Sequence, residues 1–229
     1  MEKANSKVKN RKKVLLWLGT LLILAGVTLA AYPFLQNAYY RHVQANDAAK
    51  LMEELEEGKE NIEEENNSPR EENPAFLPEE EAPDYPQYLE PGEGILEIPG
   101  LEISIQIGYG VETEDLKSGP GFYPHSGFPD TGNVSIAGHR TTYGAPFYSL
   151  HRLQEDDLIK LYYQNRVYTY RVAKVFDTHT RDWSVIDPTP EPALTLTTCH
   201  PIGGDHRRLV VRGYLDEANN SMASLPSDF

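Results

Sequence analysis

The chain has 229 residues and a formal net charge of −14 at pH 7, a length that suits one globular domain with additional segments. The charge is uneven: residues 1–44 sum to +6, residues 45–92 to −13 and residues 93–229 to −7. Because no basic patch remains in the large C-terminal portion, the composition argues against a nucleic-acid partner.

The first element in chain order is an apolar segment behind a basic flank. Residues 1–13 are rich in lysine, and residues 14–32, VLLWLGTLLILAGVTLAAY, carry no charge. A helix of this length, at about 1.5 Å per residue, just spans a hydrocarbon core of roughly 30 Å. The alternative is a cleaved signal peptide with a small-residue site near Ala30 and Ala31, but such apolar regions are normally shorter, about 7–15 residues. We therefore predict a cytoplasmic segment over 1–13 and a single-pass signal anchor over 14–35, with the rest of the chain extracellular.

An acidic, proline-containing segment follows over residues 36–92. It cannot bury enough apolar surface to offset the entropy of ordering, and its like charges repel each other. We predict an extracellular linker with the option of a short helix over residues 51–65. The alternative is a lid over an active site, closed by the apolar and aromatic side chains of the segment. Those side chains are Phe76, Leu77, Tyr85 and Tyr88.

From residue 93 the sequence alternates β-branched runs with Gly, Pro, Asn and Asp, which predicts an all-β domain over 93–216 and a C-terminal tail over 217–229. The candidate strands are Ile95–Ile98, Ile103–Ile107, Asn133–Ala137, Leu158–Tyr163, Val167–Val175, Leu194–Thr198 and Leu209–Tyr214. Short helical turns are expected over 112–116 and 145–150. Seven or eight strands in a domain of this size indicate a closed β-barrel or a sandwich.

Cys199 is the only cysteine, and it closes the apolar run ALTLTTC, residues 193–199. A disulfide within the chain is therefore impossible. A zinc site is disfavoured, because there is no second cysteine and no histidine pair with helix-face spacing. Three roles remain for a lone thiol outside the membrane: a buried core residue, a bridge between two chains, or a nucleophile.

A thiol nucleophile needs a base or an electrostatic partner. His139 ends the run GNVSIAGH, so two strands would each deliver one reactive group at its tip. His200 adjoins Cys199, but neighbouring residues of a strand point to opposite faces. The simpler alternative for His139 is a strand-end histidine satisfied by backbone hydrogen bonds.

A cation is offered by the strand RRLVVRG, which Arg207 and Arg208 open. A guanidinium there can donate hydrogen bonds to an oxyanion or orient a substrate. The two arginines lie on opposite faces of the strand, and either can equally be a solvated strand-end charge. Spacing alone does not choose between them.

Three motifs together resemble the sortases, membrane-anchored cysteine transpeptidases of mainly Gram-positive bacteria. They are TLTTC at 195–199, SIAGHR at 135–140 and RLVVRG at 208–213. The order and spacing of histidine, cysteine and arginine match the family, and the resemblance extends over residues 94–215. The resemblance implies a closed sortase-type β-barrel of about eight strands with short helices.

The resemblance also implies roles for single residues. Cys199 would attack the carbonyl between Thr and Gly of an LPxTG-like sorting signal and form a thioacyl-enzyme. His139 would act as general acid and then as general base. Arg208, which directly precedes the L-V-V strand as the family arginine does, would stabilise the oxyanion or hold the substrate, with Arg207 as the alternative. Thr198 matches a family position near the oxyanion.

The implied substrates are surface proteins or pilins with an LPxTG-like signal, and the acceptor is an amine of the cell wall or of a pilin. TTCHP is similar to class D or E sortases, which often anchor surface proteins. A pilus-polymerising sortase, a membrane-tethered cysteine endopeptidase and a non-catalytic adhesion module are the alternatives. No cofactor is implied. Some sortases bind calcium, but the clustered acids at 112–115 and 155–157 are more typical of a solvated surface.

Overall fold

The computed structural model describes residues 2–66, 93–164 and 166–216. One long helix, α1, precedes a domain of eight strands. The elements are α1 Glu2–Asn66, β1 Gly94–Ile98, β2 Ile103–Tyr109, β3 Gly121–Phe122, β4 Asn133–Ala137, β5 Leu158–Tyr163, β6 Arg166–His179, β7 Ala193–His200 and β8 Arg207–Leu215. Short 3₁₀ turns lie at Pro99–Leu101, Asp115–Lys117, Leu150–Arg152 and Trp183–Ile186.

The strands form a closed barrel in the order β1-β2-β3-β4-β7-β8-β6-β5, and β5 closes it against β1. Neighbouring strands are antiparallel except for two parallel pairs, β2 with β3 and β4 with β7. The predicted all-β closed barrel is therefore confirmed. All seven predicted strands are present. β3 was not predicted, because two residues within a Gly- and Pro-rich stretch carry no periodic signal.

The core fills the barrel interior with the alternating apolar residues of each strand. The strands that carry the site contribute Val134 and Ile136 from β4, Leu194 and Leu196 from β7, and Leu209 and Val211 from β8. Each buried side chain of this kind stabilises the fold by about 1.5–3 kcal/mol. β4 is buried along its whole length, and so is β7 from Ala193 to Thr198. The parallel β4–β7 pair is thus the buried centre of the barrel, and burial fixes the positions of the C-terminal ends of both strands.

α1 contains the apolar segment predicted to cross the membrane. Within the described part of the chain, the helix over Leu15–Leu55 is long and apolar enough for a span, and an 18-residue window of it has a mean hydropathy of 2.0. The helix does not stop at residue 35, however. It continues to Asn66, where the sequence suggests a spacer with only a short helix, and part of the continuation packs against the barrel. The side chains proposed for a lid, between residues 76 and 88, lie outside the described residues.

Candidate active site

The parallel pairing of β4 with β7 delivers His139 and Cys199 to one edge of the barrel. Ala137 pairs with Thr197, and the Gly138 amide donates to the Thr197 carbonyl at 3.1 Å. His139 and Cys199 each follow that pair by two residues. Because parallel strands end at the same edge, both side chains line one cleft of about 460 Å³.

Cys199 faces Arg208 across the antiparallel β7–β8 ladder. The two residues are register partners, and Arg208 Nη1 lies 3.7 Å from Cys199 Sγ. The same nitrogen donates to the Asp205 carbonyl at 3.1 Å, which fixes the guanidinium in place. Cys199 is a free, half-buried thiol. The structure therefore sets a cation beside the sulfur at the mouth of the cleft.

Arg207 points elsewhere. Its register partner is His200, and its guanidinium forms an ion pair with Asp177 of β6. Its Nη2 also donates to the Asp177 carbonyl at 3.3 Å. Of the two candidate arginines, the structure brings only Arg208 to Cys199.

His139 is half-buried beside the cleft. Its Nε2 is buried and has no hydrogen-bond partner among the described residues. Burial lowers the pKa of His139, because removal from water disfavours the charged imidazolium. The ring packs on Tyr143, with centroids 5.0 Å apart and planes inclined by 42°. The imidazole can therefore accept a proton from a ligand in the cleft, and its orientation comes from packing.

Thr198, the secondary candidate, ties the two reactive strands together. Its side chain is 3% exposed, and its hydroxyl donates to the Gly138 carbonyl at 2.7 Å. That bond joins the residue before His139 to the residue before Cys199. Gly138 must be glycine here, because a Cβ would lie 2.6 Å from the Phe147 ring. The bond fixes the relative positions of the two strand tips.

Arg140 is a site residue that the sequence reasoning missed. It is 3% exposed, and its Nη1 donates to the Cys199 carbonyl at 2.9 Å and contacts His200 Nδ1 at 2.8 Å. Burial lowers the pKa of Arg140, and the neighbouring Cys199 opposes that shift. The sequence feature that could have identified Arg140 is its position directly after His139. Adjacent residues face opposite sides, so the histidine faces the cleft and the arginine faces the backbone of Cys199.

One wall of the cleft is the β6–β7 loop, residues 180–192. Trp183 in this loop is 62% exposed. Two buried polar side chains hold the loop on the barrel: Asn133 Nδ2 donates to the carbonyls of Val185 (3.2 Å) and Asp187 (2.9 Å), and Arg212 Nη2 donates to Val185 (2.6 Å). The wall is therefore anchored from below while its upper surface stays open.

The acidic clusters have local roles. The Asp115 carboxylate accepts a hydrogen bond from the Glu112 amide at 3.0 Å, and Glu114 pairs with Lys117 at 2.7 Å. In the part of the chain that the structure describes, no group of three or more His, Cys, Asp or Glu residues is arranged to hold a metal ion.

Comparison with known proteins assigns the barrel to a family. The sortase-domain family model matches residues 96–216, slightly more than half of the chain. The chain is 32% identical over 151 residues to Sortase E1 of Streptomyces coelicolor, covering 58% of this chain and 43% of that protein. It is 33% identical over 125 residues to Sortase D of Bacillus subtilis, covering 52% and 62%.

Solved structures agree with this assignment. The crystal structure of Sortase E1 from Streptomyces coelicolor with a tripeptide in the active site is 29% identical, with a TM-score of 0.53 over 56% of this chain and 89% of that one. The matched regions span about half the length of the curated relatives.

Proposed function

The chain belongs to the sortase family, and we propose that it is a class D/E-like cysteine transpeptidase. It cleaves an LPxTG-like sorting signal between Thr and Gly through a thioacyl-enzyme and transfers the protein to an amine. The observation that carries the proposal is the convergence of His139, Cys199 and Arg208 on one cleft, with the guanidinium 3.7 Å from the sulfur.

The first half-reaction uses all three residues. The Cys199 thiolate attacks the Thr carbonyl carbon, a C–S bond forms, and the oxygen becomes an oxyanion. Arg208 stabilises the thiolate before attack and donates to the oxyanion after it, because a preorganised cation costs no reorganisation during the reaction. The C–N bond then breaks, and His139, which carries the proton lost by the Cys199 thiol, gives it to the leaving Gly amine.

The second half-reaction returns the proton. The acceptor amine attacks the thioester carbonyl, neutral His139 removes a proton from it, the new C–N bond forms, and the C–S bond breaks to restore the thiolate. The thioester preserves the acyl energy, so an amine can compete with water. No cofactor enters this sequence.

The residues that line the cleft support the inference that the substrate is a peptide with apolar side chains. Val111, Leu116, Val185 and Ile186 line it together with Trp183. These side chains would receive the Leu and Pro of the signal, while Arg208 contacts the scissile carbonyl. We infer a surface protein or pilin as the donor, and a cell-wall or pilin amine as the acceptor.

We infer the location from α1. Its apolar segment would anchor the enzyme in the membrane, with the basic residues 1–13 in the cytoplasm and the barrel outside. A single-pass anchor holds the cleft near the outer surface, where secreted proteins bearing sorting signals emerge.

The test uses the full chain in detergent micelles with a library of fluorogenic LPxTG-type peptides and either a glycine or a diaminopimelate-type amine. Products are identified by mass spectrometry. Amine-ligated product that disappears with Cys199→Ala and His139→Ala supports the transpeptidase. Cleavage without ligation, whichever amine is added, indicates an endopeptidase. No turnover together with a Cys199 inert to alkylation indicates a tethered binding module.

A further inference from the structure

We propose that the juxtamembrane part of α1, residues 37–48, is a working part of the active site. It holds the loop over residues 141–145, and through this loop Tyr143 positions His139. Tyr143 and the helix residues behind it are positioning residues that contact neither substrate nor sulfur. The expected effect on kinetics rests on the proposed function. The docking of α1 on the loop does not depend on that function.

The docking residues lie on one face of α1. Asn37, Arg41, Gln44 and Ala48 follow one another at intervals of three or four positions, and Tyr40 lies three positions after Asn37 and four before Gln44, which places all five in a single stripe along a helix. Gln44 and Ala48 are each only 4% exposed, whereas the apolar membrane segment before them is largely exposed. This stripe is therefore covered by the barrel domain.

Polar side chains of the stripe bind backbone groups of the loop. The bonds are Asn37 Nδ2 to Thr141 O (3.1 Å), Gly144 N to Asn37 Oδ1 (3.2 Å), Arg41 Nε to Gly144 O (3.0 Å) and Gln44 Nε2 to Tyr143 O (3.0 Å). Four backbone groups of the loop thus have their partners on a helix about 100 residues away in the sequence. Contacts to backbone fix the path of a loop whatever its side chains are.

The loop needs such support, because its backbone is strained. Tyr143, Gly144 and Ala145 have consecutive positive φ values of 50°, 83° and 52°. Residues other than glycine rarely adopt this region, and they stay there only where the surroundings over-determine the conformation. The fit is close, since a Cβ at Gly144 would lie 2.7 Å from Gln44 Oε1. The helix therefore selects a loop conformation that the loop alone does not favour.

The strained loop carries the ring that packs on the proposed general acid. Tyr143 lies between two rings: Tyr40 of α1 at 5.3 Å and 81°, and His139 at 5.0 Å and 42°. The loop closes behind this stack through the Phe147 amide, which donates to the His139 carbonyl at 3.1 Å. Because His139 Nε2 lacks a hydrogen-bond partner in the described residues, the Tyr143 ring is the contact that orients the imidazole. Release of the helix would free the ring.

The experiment compares two double variants of the full chain in detergent micelles. Arg41→Ala/Gln44→Ala removes two docking bonds. The matched control, His42→Ala/Asn46→Ala, removes two exposed polar side chains of the same helix that contact each other at 3.3 Å. We expect the docking variant to lower kcat by about tenfold or more with KM within about twofold, since misplaced catalytic groups slow chemistry rather than binding. The control should stay within about twofold of wild type.

Variants of Tyr143 connect the loop to the histidine. Tyr143→Ala should reproduce the loss in kcat, and Tyr143→Phe, which keeps the ring, should restore it to within about threefold of wild type. Wild-type kinetics in both the docking variant and Tyr143→Ala would overturn the proposal and leave α1 as a tether.

A measurement that needs no turnover separates this inference from the proposed function. The ¹H–¹³C signal of the His139 Cε1 position reports the ring current of Tyr143, and hydrogen exchange reports the Gly144 amide. Both should change in Arg41→Ala/Gln44→Ala and stay at wild-type values in the control. If no peptide is turned over but these signals shift as expected, the docking stands and the substrate assignment fails. Unchanged signals in the docking variant refute the docking itself.

Discussion

Cys199 and Arg208 are register partners across β7 and β8, and the same register pairs His200 with Arg207. One ladder thus sends one arginine to the sulfur and the other to Asp177 on β6. Arg207 and Arg208 have different partners because successive side chains of a pleated strand point to opposite faces.

Replacement of each arginine tests this division. Arg208→Ala should lower kcat/KM by about 10²–10³-fold, the usual cost of losing one donor to a developing oxyanion. Arg207→Ala removes an exposed ion pair, so stability should change by only about 0–1 kcal/mol and activity by little. The measurement is steady-state kinetics with an LPxTG-type peptide. Equal losses in both variants would mean that the register alone does not assign the roles.

The strands could be predicted from the sequence, because an alternating pattern of β-branched residues indicates a strand with one buried face. Alternation places Arg207 and Arg208 on opposite faces, but it does not say which face meets the cleft. That choice depends on the pairing with β6 and β7, which is a long-range property. Arg140 was missed for the same reason, since its partner is a backbone carbonyl 59 residues away.

The docking of α1 was equally hidden. Residues 37–48 follow a membrane segment and bind the barrel mainly through polar side chains and loop backbone, so they leave no apolar stripe for a periodicity analysis to detect. The positive φ values of residues 143–145 carry a signal only at Gly144. Contacts that depend on backbone groups of a distant loop are not encoded in local pattern.

Removal of the Thr198 hydroxyl should loosen the two strand tips. Thr198→Val leaves the buried Gly138 carbonyl without its donor, which costs about 1–3 kcal/mol of stability. Thr198→Ser keeps the donor and should retain most of the stability. Thermal unfolding and kcat measured on the same samples check this. A Thr198→Val enzyme of wild-type stability but low activity would instead indicate that the hydroxyl acts on the substrate.

Arg140 should tolerate no substitution, including lysine. Both contacts, to the Cys199 carbonyl and to His200, come from Nη1 at the far end of the guanidinium, and the ammonium of lysine lies one bond nearer the backbone. We expect Arg140→Lys to lower kcat by about tenfold or more, because a shift of the nucleophile of under an ångström is costly. His200→Ala, which leaves the bond to Cys199 in place, is the matched control. Arg140→Lys with wild-type kcat would limit Arg140 to a packing role.

The loop anchor should affect substrate binding more than chemistry. Asn133→Ala removes two hydrogen bonds to the β6–β7 loop, and the freed wall should raise KM by severalfold with a smaller change in kcat. Thr189→Ala is the control within the same loop, because that hydroxyl bonds the Glu191 carbonyl two residues away. A fall in kcat at constant KM would show that the loop positions the reacting groups instead.

The depressed pKa of His139 makes a prediction for stability against pH. Burial disfavours the imidazolium in the folded chain, so below the ordinary histidine pKa of about 6.5 the unfolded chain binds more protons at this site than the folded one. Stability should therefore rise with pH through this range and fall as the pH drops below about 6.5. The glutamine of His139→Gln does not titrate. This variant should therefore lose less stability than wild type when the pH is lowered from about 7.5 to about 5, across the ordinary histidine pKa of about 6.5. Urea unfolding of the full chain in micelles measures the difference, and NMR titration of the His139 Cε1 proton should give a midpoint below about 6.5.

Tyr143→Ala exposes the imidazole ring of His139 to water and should move that midpoint upward, because hydration of the imidazolium removes the cause of the shift. A midpoint at or above the ordinary value in wild type would mean that a negative charge in the cleft, such as a thiolate at Cys199, outweighs burial at His139.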